Sequence, residues 1–221
     1  MNVIFKAHPW HSVNIGPGAP EKLTAYIEVV PSDTVKYELD KVTGLLKVDR
    51  PQKYSNICPA LYGLIPQTHC ADHIANFCMK KSGLENIKGD DDPLDICVLT
   101  EKDIPRGDLL VDAIPIGGIR MIDDDEADDK IIAVLKDDLV YGAWTDISVC
   151  PNKVIDRLVH YFETYKEMPG KSKKNVVSID AVYGRDEAHE VIRCAQKDYH
   201  EHFGEIEEFL THALYDVMRN E

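Results

Sequence analysis

Two short stretches concentrate carboxylates: Asp90-Asp91-Asp92-Pro93-Leu94-Asp95 after Gly89, and Asp123-Asp124-Asp125-Glu126-Ala127-Asp128-Asp129 before Lys130. Like charges this crowded repel one another and weaken folding unless a cation compensates. Hard divalent ions are the fitting compensation, because Mg²⁺ and Ca²⁺ take oxygen ligands. Each cluster leads directly into an apolar, strand-like run, which puts its charges at a strand end and not on a solvated helix. An exposed acidic loop that only aids solubility is the plain alternative, and the apolar flanks weigh against it. An EF-hand does not fit. With Asp90 first in such a loop, Asp92 and Glu101 fall on ligand positions, but Asp95 stands where Gly is required and Pro93 interrupts the turn.

Cations complete the constellation. Lys36, Arg50, Lys130 and Lys166 lie on or beside segments that carry acidic or aromatic residues, and Lys36/Glu38 and Asp128/Lys130 each share a face if extended. Taken singly, each is a surface residue. Taken together, beside metal-ligand candidates in an acidic chain, they imply an anionic substrate that bridges metals and basic side chains, for which phosphate is the natural choice. A second group, His69, Cys70, His73 and Cys78, invites a zinc reading. The spacing lacks a CxxC or paired-His motif, however, and Cys70, Ile74, Phe77 and Cys78 recur at helical intervals, so the cysteines read as small buried hydrophobes on an amphipathic helix. That helix is expected to be an ordered cover or an oligomer contact.

The elements that must position these groups change character along the chain. The first half reads as short strands: 23–30, 35–39 with Val35, Tyr37 and Leu39 opposite Lys36 and Glu38, a turn at 41–44, then 45–49, 96–99, 109–116, 118–122 and 131–135. Many short strands bounded by Pro and Gly suggest a barrel or sandwich over alternating βαβ units. Later, Pro151 opens a helix whose stripe is Val154, Ile155, Leu158, Val159, Phe162 and Tyr165, ended by Pro169-Gly170. From Asp186 a second stripe carries Ala188, Val191, Ile192, Ala195 and Tyr199, and a last segment follows Gly204. His189, His200, His202 and His212 read as surface residues, and the Phe209 to Val217 stripe as a subunit interface.

Composition bounds the rest. In 221 residues, 25 Lys+Arg face 39 Asp+Glu, a formal balance of −14. That argues against a nucleic-acid binder, whose backbone affinity comes from clustered Lys and Arg. With 44% hydrophobic and 29% charged residues, a sizeable core is available. One domain is expected over 1–221, since no repeat or linker interrupts it. No run approaches the ~18 apolar residues of a membrane span, the first ten residues hold too short an apolar run for a signal peptide, and six scattered cysteines fit reduced thiols. A cytoplasmic protein without membrane or nucleic-acid partners is expected.

The stretches 27–29, 36–40 and 48–50, Pro59 with Tyr62-Gly63, 89–95, 117–130 and Tyr161-Phe162 to Tyr165-Lys166 resemble, in order and approximate spacing, the soluble Mg²⁺-dependent inorganic pyrophosphatases of family I. The resemblance covers residues 21–168, and Asp90, Asp92, Pro93 and Asp95 are its most specific part. It implies a mainly β fold with α: a single-domain, five-stranded OB-like β-barrel with flanking helices. It also implies hydrolysis of pyrophosphate to two phosphates by metal-activated water, without a covalent intermediate, by a homo-oligomer, hexamer or dimer. Carried over, Asp90, Asp95 and Asp128 hold the tight metal; Asp123, Asp124, Glu28 and Glu38 complete the metal set. Asp92 accepts the proton of the attacking water, Tyr62 hydrogen-bonds nearby, and Lys36, Arg50, Lys130, Tyr165 and Lys166 bind phosphate. Several Mg²⁺ ions per site are implied, with Mn²⁺ as a substitute.

Three features depart from the family pattern: Cys58 where Tyr is frequent, Asp123-Asp124 where Asp-Glu is common, and an insertion about 66–88; a helical C-terminal extension, about 186–221, lies beyond the resemblance. Two other functions remain to be distinguished. A phosphohydrolase acting on nucleotides would need a base-stacking platform, which the sequence does not offer. A non-catalytic acidic module on an OB-like barrel would leave Lys36, Arg50, Lys130 and Lys166 without a purpose.

Overall fold

The computed structural model describes residues 7–166 and 177–219, with side chains described as far as residue 204. Ten strands and three helices follow one another: β1 (Leu23–Val29), β2 (Val35–Leu39), β3 (Leu46–Pro51), β4 (Leu61–Leu64), α1 (Asp72–Ser82), β5 (Lys88–Gly89), β6 (Asp95–Leu99), β7 (Leu109–Asp123), β8 (Glu126–Ala127), β9 (Lys130–Leu135), α2 (Asn152–Thr164), β10 (Val177–Gly184) and α3 (Arg185–Arg219).

Five strands close on themselves. β1 pairs antiparallel with β4, β4 with β6, β6 runs parallel to β9, β9 pairs antiparallel with β7, and β7 returns to β1. This ring is the expected five-stranded, OB-like barrel. After their opening Asp95 and Lys130, β6 and β9 are buried on both faces and read as apolar runs, whereas the first half of β7 alternates. Alternate residues serve different clusters. Ile96, Val98, Ile131 and Ala133 join a core continued by α1 and α3, while Cys97, Leu99, Ile132 and Val134 join one continued by Leu158 and Phe162 of α2. Gly63 allows β1 and β4 to approach closely, since a Cβ there would lie 1.9 Å from the Tyr26 carbonyl oxygen.

β2 and β3 form a separate hairpin in which Lys36 faces Arg50 across the ladder. Its turn is capped by Asp40, which accepts the Thr43 N–H at 2.9 Å, and Gly44 takes a φ of 69°.

Helix α1 forms where the spacing predicts it, with Ile74 and Cys78 buried and Cys70 buried just before it. Helix α2 starts after Pro151. Three readings are corrected, and one strand was not anticipated. The runs 109–116 and 118–122 are one 15-residue strand, bulged between Pro115 and Gly117, because Gly117 and Gly118 bend it without ending it and let Tyr183 of β10 pack closely. Strand β10, which was not among the expected elements, alternates Val177, Ile179, Ala181 and Tyr183 with Ser178 and Asp180, although only Tyr183 along it is buried. α3 runs unbroken through Gly204. His189 is buried at 8% exposure, three residues before Ile192 on the core-facing side, and not on the surface. The side chains of the Phe209 to Val217 stripe and His212 lie outside the described residues.

Candidate active site

The register of the ring brings the chemistry together. Asp95 opens β6 and Lys130 opens β9, and the parallel pairing sets them directly side by side. Tyr62 pairs with Cys97, two residues along from Asp95 on the same face. The result is a tight set: the Tyr62 hydroxyl donates to Asp95 Oδ2 at 2.5 Å, and Lys130 Nζ donates to Asp95 Oδ2 at 2.5 Å and to Asp128 Oδ1.

Two turns aim the remaining carboxylates. Asp91 adopts a φ of 58°, a conformation Asp tolerates better than most residues, and the Asp92 N–H closes the turn on Asp90 Oδ1 at 3.0 Å. Between β7 and β8, Asp124 and Asp125 both take positive φ, 50° and 67°, the pattern of a two-residue hairpin turn. Asp123 and Glu126 are therefore cross-strand partners on one face.

A cleft of about 240 Å³ is lined by Lys36, Tyr62, Asp90, Asp92, Asp95, Asp123, Glu126, Asp128, Lys130, Tyr165 and Lys166. Glu28, Glu38 and Lys41 line an adjoining recess that shares Lys36, Tyr62, Asp92 and Asp95 with it. Arg50 lies at the margin, its guanidinium 5.7 Å from the centre of the Tyr165 ring and its Nε 3.6 Å from Asp49 Oδ2. Tyr165 caps the C-terminus of α2 and Lys166 follows it, pairing with Asp123.

Of the predicted residues, Asp124 and Arg50 line neither the cleft nor the recess, Arg50 standing at the margin. Asp124 is exposed in the hairpin turn, and Glu126, exposed as well, is the residue of that hairpin that lines the cleft beside Asp123. Spacing missed Glu126 and Lys41. Reading Asp124-Asp125 as a turn pair would have found Glu126. Lys41, paired with Asp92, lies past the end of β2 where the alternation of that strand no longer predicts a direction.

The electrostatics follow from six carboxylates and three lysines around one small cleft. Burial, with Asp128 adding to it, pushes Asp90 well above the usual carboxylate range. Burial also raises Asp128, opposed by Lys130 and reinforced by Asp95. Glu28, 6% exposed, is pushed up to about 8 by burial, with Asp95 adding, against the pull of the Leu39 N–H on its Oε1 at 2.7 Å. Burial alone would lower Lys130, but Asp128 and Asp95 outweigh it and hold the ammonium charged. The cluster is thus short of positive charge, which its three lysines supply only in part. Among the described residues, no three carboxylate, His or Cys side chains are drawn together as a ready metal cage. The donor set nonetheless fits hard divalent ions: every candidate ligand is a carboxylate, and Asp123 Oδ1 is buried with no hydrogen-bond partner.

A family model described as inorganic pyrophosphatase matches residues 25–200. An inorganic pyrophosphatase of Chlamydia muridarum (strain MoPn / Nigg) is 57% identical over 195 residues, covering 87% of this chain and 93% of the relative. The chain belongs to the inorganic pyrophosphatases. Within that family, the soluble inorganic pyrophosphatase 1 of Arabidopsis thaliana is 37% identical over 196 residues, 89% of this chain and 82% of the relative. The crystal structure of inorganic pyrophosphatase from Thermus thermophilus aligns with a TM-score of 0.72 at 29% identity, over 88% of this chain and 99% of that one. Members of the family are metal-dependent, in keeping with the carboxylate donors of this cleft. Among the described residues no helix is long and apolar enough to cross a membrane.

Proposed function

We propose that this pyrophosphatase hydrolyses inorganic pyrophosphate to two phosphates in the cleft between Asp95, Asp128 and Lys166, using Mg²⁺. The observation that carries the assignment is the meeting, in one small cleft, of carboxylates from the 90–95 and 123–128 segments with Lys36, Lys130 and Lys166. A net-acidic cleft repels a polyanion, so substrate entry requires added cations. Asp90, Asp95 and Asp128 would hold the tight ion, and Asp123, Glu126, Glu28 and Glu38 would serve ions that arrive with substrate. Bound there, divalent ions neutralise phosphate charge and lower the pKa of water toward neutrality.

The residues of the chain supply the rest. Asp92 takes the proton of the attacking water, a transfer that requires only a short reach. Tyr62 fixes the orientation of Asp95 through its hydroxyl. Lys36, Arg50, Tyr165 and Lys166 grip phosphate oxygens, Arg50 with a fork suited to two of them. Lys130 lies where charge gathers on the leaving phosphate and stabilises it. Because positioning and charge neutralisation carry the reaction, no covalent nucleophile is needed.

The test is phosphate release. It should be fast from pyrophosphate with Mg²⁺, slow from ATP, and abolished by chelation or in Asp95→Asn. Equal rates on both substrates would favour a nucleotide phosphohydrolase, and no release would leave only a binding module. A series of Mg²⁺, Mn²⁺ and Zn²⁺ tests the metal. We further read the chain as a single domain that assembles as a homo-oligomer in the cytoplasm, the last in keeping with six free cysteines. Light scattering that returned a monomer mass would refute the assembly.

A further inference from the structure

Asp198 lies on α3, fully buried, and does not line the cleft. Its carboxylate accepts three backbone N–H groups at the start of α1: Ala71 and Ile74 on Oδ2, both at 3.0 Å, and His73 on Oδ1 at 2.8 Å. A helix N-terminus leaves such donors unsatisfied, and Ala71, at the capping position, has no side chain to accept them. An aspartate more than a hundred residues away does so instead.

The segment so held is hydrogen-bonded through Cys70 to the Asp90–Asp92 turn. Residues 69–71 run between α3 and that turn and bond alternately to either side. His69 N–H donates to the Ala195 carbonyl at 2.9 Å and Ala71 N–H to Asp198, both on α3. Between them, Cys70 N–H donates to the Asp92 carbonyl at 2.8 Å, and its own carbonyl accepts the Asp91 N–H at 3.0 Å. The approach is close enough that a Cβ at Gly89 would lie 2.1 Å from the Cys70 carbonyl oxygen.

We propose that Asp198 is a positioning residue of the active site, which sets the Asp90–Asp92 turn through the backbone of Cys70. The proposal rests on the assignment of Asp90 to metal binding and Asp92 to proton transfer. Removing the carboxylate frees three donors at α1, lets residues 69–71 shift, and misplaces two groups the reaction needs. Losing a support behind a metal ligand typically costs roughly 10–100-fold in metal affinity. The groups that grip pyrophosphate lie on β2, β3 and the end of α2, outside this chain of contacts, so substrate affinity is spared.

The experiment compares Asp198→Asn and Asp198→Ala with Val191→Ala, a buried apolar truncation on the same helix whose side chain offers the α1 donors no acceptor. Mg²⁺ binding is followed by calorimetry, backbone order by amide hydrogen exchange at Cys70 and Asp91, and catalysis by kcat and KM. Both Asp198 variants should raise the half-saturating Mg²⁺ concentration at least tenfold, speed exchange at those two amides and lower kcat, while KM at saturating Mg²⁺ stays within about threefold. Val191→Ala should lose thermal stability without these changes. If Asp198→Ala does not fold, Asp198→Asn, which keeps the volume and one acceptor, decides alone. Unchanged Mg²⁺ binding and exchange in Asp198→Asn, or the same shifts in Val191→Ala, would overturn the proposal. A wild-type protein that released no phosphate would refute the functional reading instead, and exchange at Cys70 and Asp91 would still judge the role of Asp198.

Discussion

Lys130→Met puts the electrostatic account of the cleft to its hardest test. The Lys130 side chain is 2% exposed and its ammonium contacts two carboxylates, Asp95 and Asp128, whose side chains are 22% and 15% exposed. Methionine keeps most of the apolar stem, so the change is chiefly the loss of a charge. Removing one partner of a buried pair costs about 3–5 kcal/mol, and the partial exposure of both carboxylates places this site near the lower figure. For a chain of this size, at about 2–4 °C per kcal/mol, the expected loss in Tm in EDTA is roughly 6–12 °C.

The same charge competes with metal ions for Asp95 and Asp128. Its removal should therefore strengthen Mg²⁺ binding, and ligand that binds only the folded state stabilises it. Saturating Mg²⁺ should then narrow the gap in Tm between variant and wild type, although activity stays low for want of a cation beside the leaving phosphate, a loss of about 10²–10³ in kcat. Thermal unfolding by circular dichroism, in EDTA and across a Mg²⁺ titration, reads both effects. A variant as stable as wild type in EDTA, or a gap that widens with Mg²⁺, would refute the reasoning.

Two further outcomes follow from the geometry. Tyr62→Phe removes the hydroxyl that donates to Asp95 at 2.5 Å; a hydrogen bond to a charged group is worth about 1.5–3 kcal/mol, so kcat should fall on the order of 10–100-fold with the fold intact, as steady-state kinetics beside circular dichroism would record. Burial, with His8 and His69 adding, lowers His11 from the ordinary 6.5 to about 4. Between those values the unfolded chain binds a proton that the folded chain refuses, so this contribution to stability is present above about 6.5 and is lost as pH falls toward 4. His11→Gln should flatten the wild-type decline in Tm over that window; an unchanged slope would show that His11, which meets the Tyr199 hydroxyl at 2.9 Å, does not drive it.

Much of the site was legible because its chemistry is written in residue types. Carboxylates of Asp90, Asp92, Asp95, Asp123 and Asp128 fall in two clusters, and each cluster ends at a strand, as the apolar runs after it foretold. Lys36 and Glu38 share a recess, as period-two alternation requires. The face of α1 with Ile74 and Cys78 followed from helical spacing. Strand β10 carries period-two alternation, with Val177, Ile179, Ala181 and Tyr183 against Ser178 and Asp180, and was not anticipated; its antiparallel place beside β7 is a long-range pairing that local alternation does not reveal. Composition counts Asp124 with the other carboxylates without regard to the turn that holds it, and it does not line the cleft.

From the order of residues alone came the donor types, the local periodicities and the acidic excess that demands cations, since each depends only on neighbours along the chain. Tertiary structure decided the rest. That Asp95 stands beside Lys130, that Lys41 reaches Asp92, and that Asp198 caps a helix far away in the chain all depend on strand register and helix docking. A shift of one residue would turn every side chain of a strand to its other face, and the energy that selects the register is summed over the whole ring and its two cores, not held in any one segment.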